Sequence, residues 1–276
     1  MTRMHTACID GVAFWAPTLA GWPAARAALR GGPPSGRPHR RPSPHGLAAN
    51  ERRRASDSVL LALEVAEQAL AASGHAAADL ASVFTSAHGD LAITDALCRT
   101  LAKTPLMLSP TRFHHSVHNA ASGYWAMASH CHAASTALAA YEHSFAAGLL
   151  EALCLCEADA RPVLLAAYDT EACGALVSVN RSRGLLALGL VLAPRPGVCS
   201  AWALQWSVGP GAAAPPPLRS AAAQALAHNA IADGLPLAEA LAAGTDTALS
   251  LPLGAGLSLH LALRALPSGG VVAADA

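Results

Sequence analysis

Three short, mainly apolar runs most constrain how this chain of 276 residues can fold. They cover residues 80–86 (LASVFTS), 161–168 (RPVLLAAY) and 185–192 (LLALGLVL). Runs of this kind, without regular polar alternation, are typical of strands that are covered on both faces of a sheet. The first run leads through a glycine turn at 87–90 into a helical pattern over 91–102. This strand–turn–helix order predicts an α/β fold with a central mixed sheet between helices.

Helical patterns alternate with strand patterns along most of the chain. The clearest helix covers residues 56–72, with Ser56 as its N-cap and Gly74 just past its end. The other predicted elements are strands at 8–15, 135–140, 202–208 and 257–266, and helices at 21–30, 119–129, 144–156 and 218–231.

The density of these patterns divides the chain in two. We predict a main domain over residues 1–196 and a degenerate C-terminal extension over 197–276, packed on the same domain, where the patterns are sparse. Within the main domain, the Pro- and Gly-rich stretch 31–50 is predicted to be a flexible loop. Residues 267–276 are predicted to form a tail.

Composition and charge argue against several classes of protein. The formal net charge is zero, so the chain lacks the basic excess that neutralises nucleic-acid phosphates. Only 13% of the residues are charged, which indicates either a surface partly covered by another subunit or the Ala-rich composition of a high-GC genome. One basic cluster, 37–54, is either part of the flexible loop or a docking patch for an acidic carrier protein.

Cysteine use and hydropathy bear on the compartment. The seven cysteines include no CxxC pair, which is typical of a reduced, cytoplasmic protein. We see neither a signal peptide nor an uninterrupted apolar run long enough to span a membrane. No cofactor is predicted.

The densest group of functional residue types lies between residues 108 and 153, which include six histidines. One hypothesis is a metal site formed by His114, His118 and Cys131, since imidazole and thiolate are zinc ligands. Pro110 and a turn at Asn119 favour a loop over 110–119, however. In a loop, a spacing of four residues does not place His114 and His118 on one face, as it would in a helix.

A second hypothesis is nucleophilic catalysis near residue 142, where a strand pattern turns into a helix pattern. A nucleophile at such an elbow is stabilised by the backbone N–H groups of the helix N-terminus. The chain places Glu142 there, and a carboxylate cannot form a thioester. A stand-alone acyltransferase or hydrolase would instead use Cys131 or Ser144 with a nearby histidine.

The two segments SPTRFHHSVHNAASGYW and ASTALAAYEHSFAAGLLEA together resemble the β-ketoacyl-acyl-carrier-protein synthases, condensing enzymes of the thiolase fold. The resemblance extends from about residue 8 to 194. It is closer to the short ketosynthase-like chain length factors of aryl polyene, or xanthomonadin-type, pigment clusters. It implies a truncated, thiolase-like ketosynthase half that takes part in fatty acid or polyene biosynthesis.

The resemblance also implies that the chain has no catalytic activity of its own. When Asn119 is aligned with the family's asparagine, the family's catalytic cysteine corresponds to Glu142, within one position. The last 80 residues contain no His-Gly-Thr motif, and His228 and His260 are interpreted as structural. The implied partners are an active β-ketoacyl-ACP synthase, in a heterodimer, and an acyl carrier protein.

Several residues are implied to line the heterodimer interface or the acyl tunnel. Tyr124 and Trp125 would limit the length of the growing chain, or would be ordinary core aromatics. The full predicted set is Phe113, His114, His118, Asn119, Tyr124, Trp125, Tyr141, Ser144 and Phe145.

Overall fold

The computed structural model of the protein describes residues 4–33, 38–39, 41–211 and 214–266. The predicted tail and part of the predicted loop 31–50 lie outside these residues. The strands are β1 (His5–Ala16), β2 (Leu19–Ala20), β3 (Ala81–Thr85), β4 (Ser135–Leu138), β5 (Val163–Asp169), β6 (Leu186–Ala193), β7 (Trp202–Pro210), β8 (Thr247–Gly254) and β9 (Leu257–Ala265).

Helices flank the strands, as the α/β prediction requires. None of the helices in the described part of the chain is long and apolar enough to cross a membrane. The α-helices are α1 (Trp22–Leu29), α2 (Ala49–Arg54), α3 (Asp57–Ser73), α4 (Leu91–Lys103), α5 (Pro110–Ser116), α6 (Ala120–Ser129), α7 (Ser144–Asp159), α8 (Ala221–Leu226) and α9 (Leu235–Ala243).

One mixed sheet contains all the strands of the described residues. Its order is β4-β3-β5-β6-β1-β7-β9-β8, with β2 paired to β1. Strands β4, β3 and β5 are parallel, and the remaining neighbours along the order are antiparallel. The predicted mixed sheet between helices is confirmed. Its three parallel strands end at one edge, where such sheets place their binding sites.

The sheet is buried on both faces. In β5, Leu164, Ala166 and Tyr168 join the core on the α3 face, while the alternate residues join the core on the α7 face. All seven residues of β5 and all eight of β6 are buried. This explains why both strands have continuous apolar sequences.

Helix α3 lies very close to the sheet because glycines face it. A Cβ atom at Gly11 would lie 2.1 Å from the Ala69 carbonyl oxygen, and one at Gly189 would lie 2.5 Å from that of Val65. The helix begins as predicted, with the Ser56 Oγ accepting from the Val59 N–H, and ends at Gly74 with a φ of 71°.

Helix α7 makes a similar approach to β3 through Gly148. A Cβ atom at this position would lie 2.5 Å from the Thr85 Cγ2 atom. The Thr85 hydroxyl also donates a 2.8 Å hydrogen bond to the Ser144 carbonyl in the first turn of α7. These contacts hold the N-terminus of α7 against the end of β3.

Substitution Gly148→Ala is therefore expected to destabilise the protein by about 1–3 kcal/mol, because the added methyl group overpacks the contact with Thr85. Gly123→Ala is the matched control. It also lies within a helix, but no atom lies within 4 Å of the place its new methyl group would take, so it should stabilise by about 0.5–1 kcal/mol. Denaturant unfolding of the two variants measures both effects; equal stabilities would contradict the close packing of α7.

The structure corrects the prediction that 110–119 is a loop. Residues Pro110–Ser116 form α5, with the Ser109 Oγ accepting from the Arg112 N–H. Proline is favoured in the first turn of a helix, where its missing N–H needs no partner, so Pro110 starts this helix. Because α5 ends before His118, the two predicted metal ligands still do not share a helix face.

The C-terminal part departs further from the sequence predictions. The helix predicted at 218–231 is wrong beyond α8, which ends at Leu226. The Asn229 side chain instead donates hydrogen bonds to the carbonyls of Asp169, Arg183 and Gly184, which fixes a turn. Helix α9 and strand β8 were not predicted. Strands β7, β9 and β8 continue the same sheet.

Candidate functional site

The connection from β4 to α7 is the elbow that the sequence predicted. It comprises residues 139–143, Ala-Ala-Tyr-Glu-His, with a 3-10 turn at Tyr141–His143. Tyr141 has a φ of 51°, a left-handed conformation that is strained for an aromatic residue and that is often found at functional sites. No residue of this elbow carries a thiol or an aliphatic hydroxyl group.

The hydroxyl of Ser144, just past the elbow, is fully engaged by the backbone. It donates to the Tyr141 carbonyl at 2.8 Å and accepts from the Ala140 N–H at 3.0 Å. The residue is completely buried. This geometry gives Ser144 a structural role in closing the turn and provides no histidine base for the alternative hydrolase hypothesis.

The three predicted metal ligands have separate surroundings. The buried Cys131 thiol donates to the Leu80 carbonyl at 3.3 Å. A ring nitrogen of His118 lies 2.9 Å from the Ser86 carbonyl, and the His114 ring packs at 5.7 Å against the ring of His115. Among the described residues, no group of three or more His, Cys, Asp or Glu side chains is arranged to hold a metal ion.

A cavity of about 440 Å³ opens beside the elbow. This volume is within the usual range for a small-molecule pocket. Its polar lining combines Glu142 and His143 of the elbow with side chains from two distant segments, and its apolar wall includes four prolines. The lining includes Glu142, His143, Asn180, Arg181, His228, Asp233, Pro215, Pro216, Pro236 and Pro252.

Two buried carboxyl groups lie near the carboxyl ends of the parallel strands, and the sequence patterns assigned neither a role. Burial raises the pKa of Asp169 to about 7, although the Ser86 hydroxyl and the Ala87 N–H donate to it at 2.6 and 2.7 Å. Burial, aided by the charge of Asp169, raises the pKa of Asp233 to about 8. The position of Asp169 at the end of a predicted strand could have indicated a functional residue from the sequence. No sequence feature around Asp233 indicated such a role.

His88, whose side chain is 8% exposed, adds a third titratable group at this edge. Its Nδ1 lies 3.4 Å from an oxygen of Asp169, but the two do not form a well-directed hydrogen bond. Desolvation lowers the pKa of His88, so the neutral imidazole is favoured. Ser86 connects the Asp169 carboxyl to the turn after β3, since its Oγ also accepts a hydrogen bond from the Gly89 N–H at 2.8 Å.

The structure separates the nine predicted interface or tunnel residues into buried and surface groups. Tyr124 and Trp125 are buried in the core on the α3 face, and the Tyr124 hydroxyl lies 3.1 Å from the Nε2 atom of His115. Phe145 is fully buried on the opposite face. Phe113, His114, Asn119 and Tyr141 are exposed, and His118 is half-buried.

Strand β4 lies at one edge of the sheet, and exposed apolar side chains occur on the elements that connect to it through α6. Within the part of the chain that the structure describes, strand β4 ends the strand order and pairs only with β3. The neighbouring elements α4, α5 and α6 contact one another in series. We call this surface the β4 face; it comprises residues 135–138 of the strand with exposed Leu101, Leu106, Met107, Phe113, Met127 and Tyr141.

Comparison with protein families identifies the chain. The family model described as β-ketoacyl synthase, N-terminal domain, matches residues 28–253, which is more than half of the chain. The chain therefore belongs to the β-ketoacyl synthase family, and the resemblance found in the sequence is confirmed. None of the curated protein sequences compared with the chain matches it.

Solved structures with a similar fold are ketosynthases and their complexes. A ketosynthase (ApeO) in complex with its chain length factor (ApeC) from Xenorhabdus doucetiae is similar at 24% identity, with a TM-score of 0.70, covering 93% of this chain and 99% of that one. The ishigamide ketosynthase/chain length factor is similar at 17% identity, with a TM-score of 0.65, covering 95% and 100%.

A third similar structure contains a carrier protein. It is AntDE:AntF, a type II PKS acyl-carrier protein in complex with its ketosynthase bound to the hexaketide, at 11% identity and a TM-score of 0.72, covering 96% of this chain and 100% of that one. At these identities the likeness shows the fold alone. The fold is ketosynthase-like, as the predicted thiolase-like architecture required.

Proposed function

We propose that the chain is a non-catalytic, ketosynthase-like subunit, a chain length factor, that pairs with an active β-ketoacyl-ACP synthase. One observation carries this proposal: the elbow of residues 139–143 contains no cysteine, serine or threonine. A thiol or aliphatic hydroxyl nucleophile is therefore missing whichever of these five positions corresponds to the family's cysteine. Without a thiol, no acyl thioester can form at the elbow.

The β4 face is the surface proposed to bind the synthase. An exposed edge strand offers unpaired N–H and C=O groups that another strand can pair with. Exposed apolar side chains on the elements connected to this edge, including Leu106 and Met107 at 99% and 75% exposure, support an interaction surface here. Two complexes among the similar structures also contain a ketosynthase and a chain length factor.

The proposed substrate of the pair is a polyene acyl chain carried on an acyl carrier protein. The similar complex of a ketosynthase with its acyl-carrier protein supports this kind of partner. The end of α2 presents Arg52, Arg53 and Arg54, which provide positive charge for an acidic carrier. We place the pair in aryl polyene, or xanthomonadin-type, pigment biosynthesis in the cytoplasm.

Co-expression with an active ketosynthase from the same gene neighbourhood tests the proposal. With one subunit tagged, pull-down and size-exclusion chromatography should give a stable one-to-one complex that condenses malonyl units. Glu142→Ala should leave this condensation within about twofold of the unmodified complex, because the chemistry belongs to the partner. Glu142→Cys should give no condensation by the isolated chain.

Two results would contradict the proposed function. A monodisperse chain that does not associate with the ketosynthase would remove the scaffold role. Measurable condensation by the isolated chain, with or without Glu142→Cys, would show that it has catalytic machinery of its own.

The variants Tyr124→Ala and Trp125→Ala, each assayed in the complex, test whether these buried aromatics influence the length of the product.

A further inference from the structure

The N-terminus of α7 holds a carboxyl group from a distant part of the chain. Oδ2 of Asp233 accepts a 3.0 Å hydrogen bond from the Ala146 N–H, and the Phe145 N–H also interacts with this carboxyl. Ala146 and Phe145 belong to the first turn of α7, whose N–H groups have no partner within the helix. An oxygen of a carboxyl group can accept the hydrogen bonds that such a helix end offers.

The turn that carries Asp233 is packed firmly against α7. A Cβ atom at Gly234 would lie 2.7 Å from the Phe145 ring, so only glycine permits this approach. Three side-chain hydrogen bonds from Asn229 anchor the preceding residues to the end of β5 and to the residues just before β6. The position of the Asp233 carboxyl is therefore set by two independent contacts on its own segment.

The second oxygen of Asp233 distinguishes this arrangement from an ordinary helix cap. Oδ1 is buried and has no hydrogen-bond partner among the described residues, and Asp233 lines the cavity beside Glu142 and Arg181. A buried polar atom without a partner is unusual in a cap that serves stability alone. Here the carboxyl lies between the cavity and the N–H groups of α7.

We propose that the N-terminus of α7 is a binding site for a carboxyl group and that the chain occupies it with the carboxyl group of its own Asp233, which closes it to external carboxylates and oxyanions. The site would exist whether or not the chain pairs with a synthase. It adds a second reason for the lack of catalysis. A nucleophile introduced at the elbow would find the nearby anion-stabilising N–H groups already engaged.

Chemical rescue tests this occupancy. Asp233→Ala in the full chain should lower the Tm by about 3–6 °C, because two N–H groups lose their acceptor. Titration with sodium formate at pH 6 should recover at least half of this loss, whereas sodium chloride at equal ionic strength should not. Asp233→Asn keeps an acceptor oxygen and should neither lose as much Tm nor respond to formate.

Exposed Asp79→Ala is the control for general effects of losing a carboxylate, and its Tm should show no specific response to formate. The proposal is overturned if Asp233→Ala unfolds at the temperature of the unmodified chain, or if formate acts on it no more than chloride does. If Asp233→Ala does not fold, the proposal is tested instead by measuring amide hydrogen exchange of residues 144–148 in Asp233→Asn and in the unmodified chain. Equal protection of this segment in Asp233→Asn and the unmodified chain supports the site; loss of protection in Asp233→Asn rejects it.

Discussion

Ala137→Pro in strand β4 is expected to abolish co-purification with the proposed ketosynthase partner while leaving the fold intact. The affinity should fall by at least about 100-fold, which corresponds to about 2.8 kcal/mol. Two effects add up: a main-chain hydrogen bond to the partner is lost, and the proline ring occupies the line of approach of the pairing strand. Pull-down and size-exclusion chromatography of the co-expressed pair measure the loss.

The hydrogen bonds between β3 and β4 explain the choice of position 137. The carbonyls of Ala134 and Leu138 accept from the N–H groups of Ser82 and Ser86, at 3.0 and 3.3 Å. Because successive residues of a strand point their backbone groups to opposite sides, Ser135 and Ala137 direct theirs outward. Proline at Ala137 therefore removes an outward N–H and leaves the pairing with β3 unchanged.

Ala137→Ser keeps the N–H and is the matched control for this position; it should bind the ketosynthase as the unmodified chain does. Thermal unfolding of both variants checks that the chain remains folded. If the folded Ala137→Pro variant still forms the complex at unchanged affinity, the open edge of β4 is not the interface, and the proposed pairing surface must be sought elsewhere on the molecule.

Raising the pH from 6.5 to 8 is expected to lower the free energy of unfolding substantially, because two buried carboxyl groups must ionise. The pKa of Asp169 is raised by burial to about 7 and that of Asp233 to about 8, against an ordinary value of 3.8 for each. Each group contributes a slope of up to about 1.4 kcal/mol per pH unit while its folded form keeps the proton that the unfolded form has lost.

The sign follows from the order of the pKa values. A carboxyl with a raised folded pKa stabilises the fold most below its unfolded pKa, and this contribution is lost as the pH rises through the folded pKa. The lowered pKa of His88 acts in the opposite direction, but only below its ordinary value of 6.5. The carboxyl effect should therefore be clearest between pH 6.5 and 8, where it is not offset by His88.

Denaturant unfolding across this pH range measures the effect. The double variant Asp169→Asn, Asp233→Asn should show a much flatter dependence than the unmodified chain, at some cost in stability near pH 6. Asp79→Asn changes an exposed carboxylate and should keep the original slope. A double variant with the same slope as the unmodified chain would show that these two groups do not carry buried protons at neutral pH.

The strands and the elbow could be predicted because their signals are local. The apolar run 161–168 becomes β5 at Val163–Asp169, since a strand covered on both faces needs apolar residues at every position. Residues 56–72 form α3 within one residue at each end, because Ser56 and Gly74 cap it. The absence of cysteine, serine and threonine at the elbow was also visible in the sequence.

Other elements escaped prediction where local signals were ambiguous or weak. The sequence pattern favours a loop at Pro110, although proline is equally typical of a helix start when a serine precedes it. The short α9 and strand β8 lie in an Ala-rich segment where helix and strand patterns look alike. Their form is decided by packing on β9 and α1, which the sequence pattern does not reveal.

The sequence by itself determined the class of fold, the place of the elbow and the lack of a thiol or aliphatic hydroxyl group there. These features depend on side-chain period, caps and residue identity within short stretches. Only the tertiary structure decided how Asp233 meets the N-terminus of α7, 87 residues away along the chain. Such a contact depends on the summed packing of the whole sheet and its helices, and no local pattern of residues encodes it.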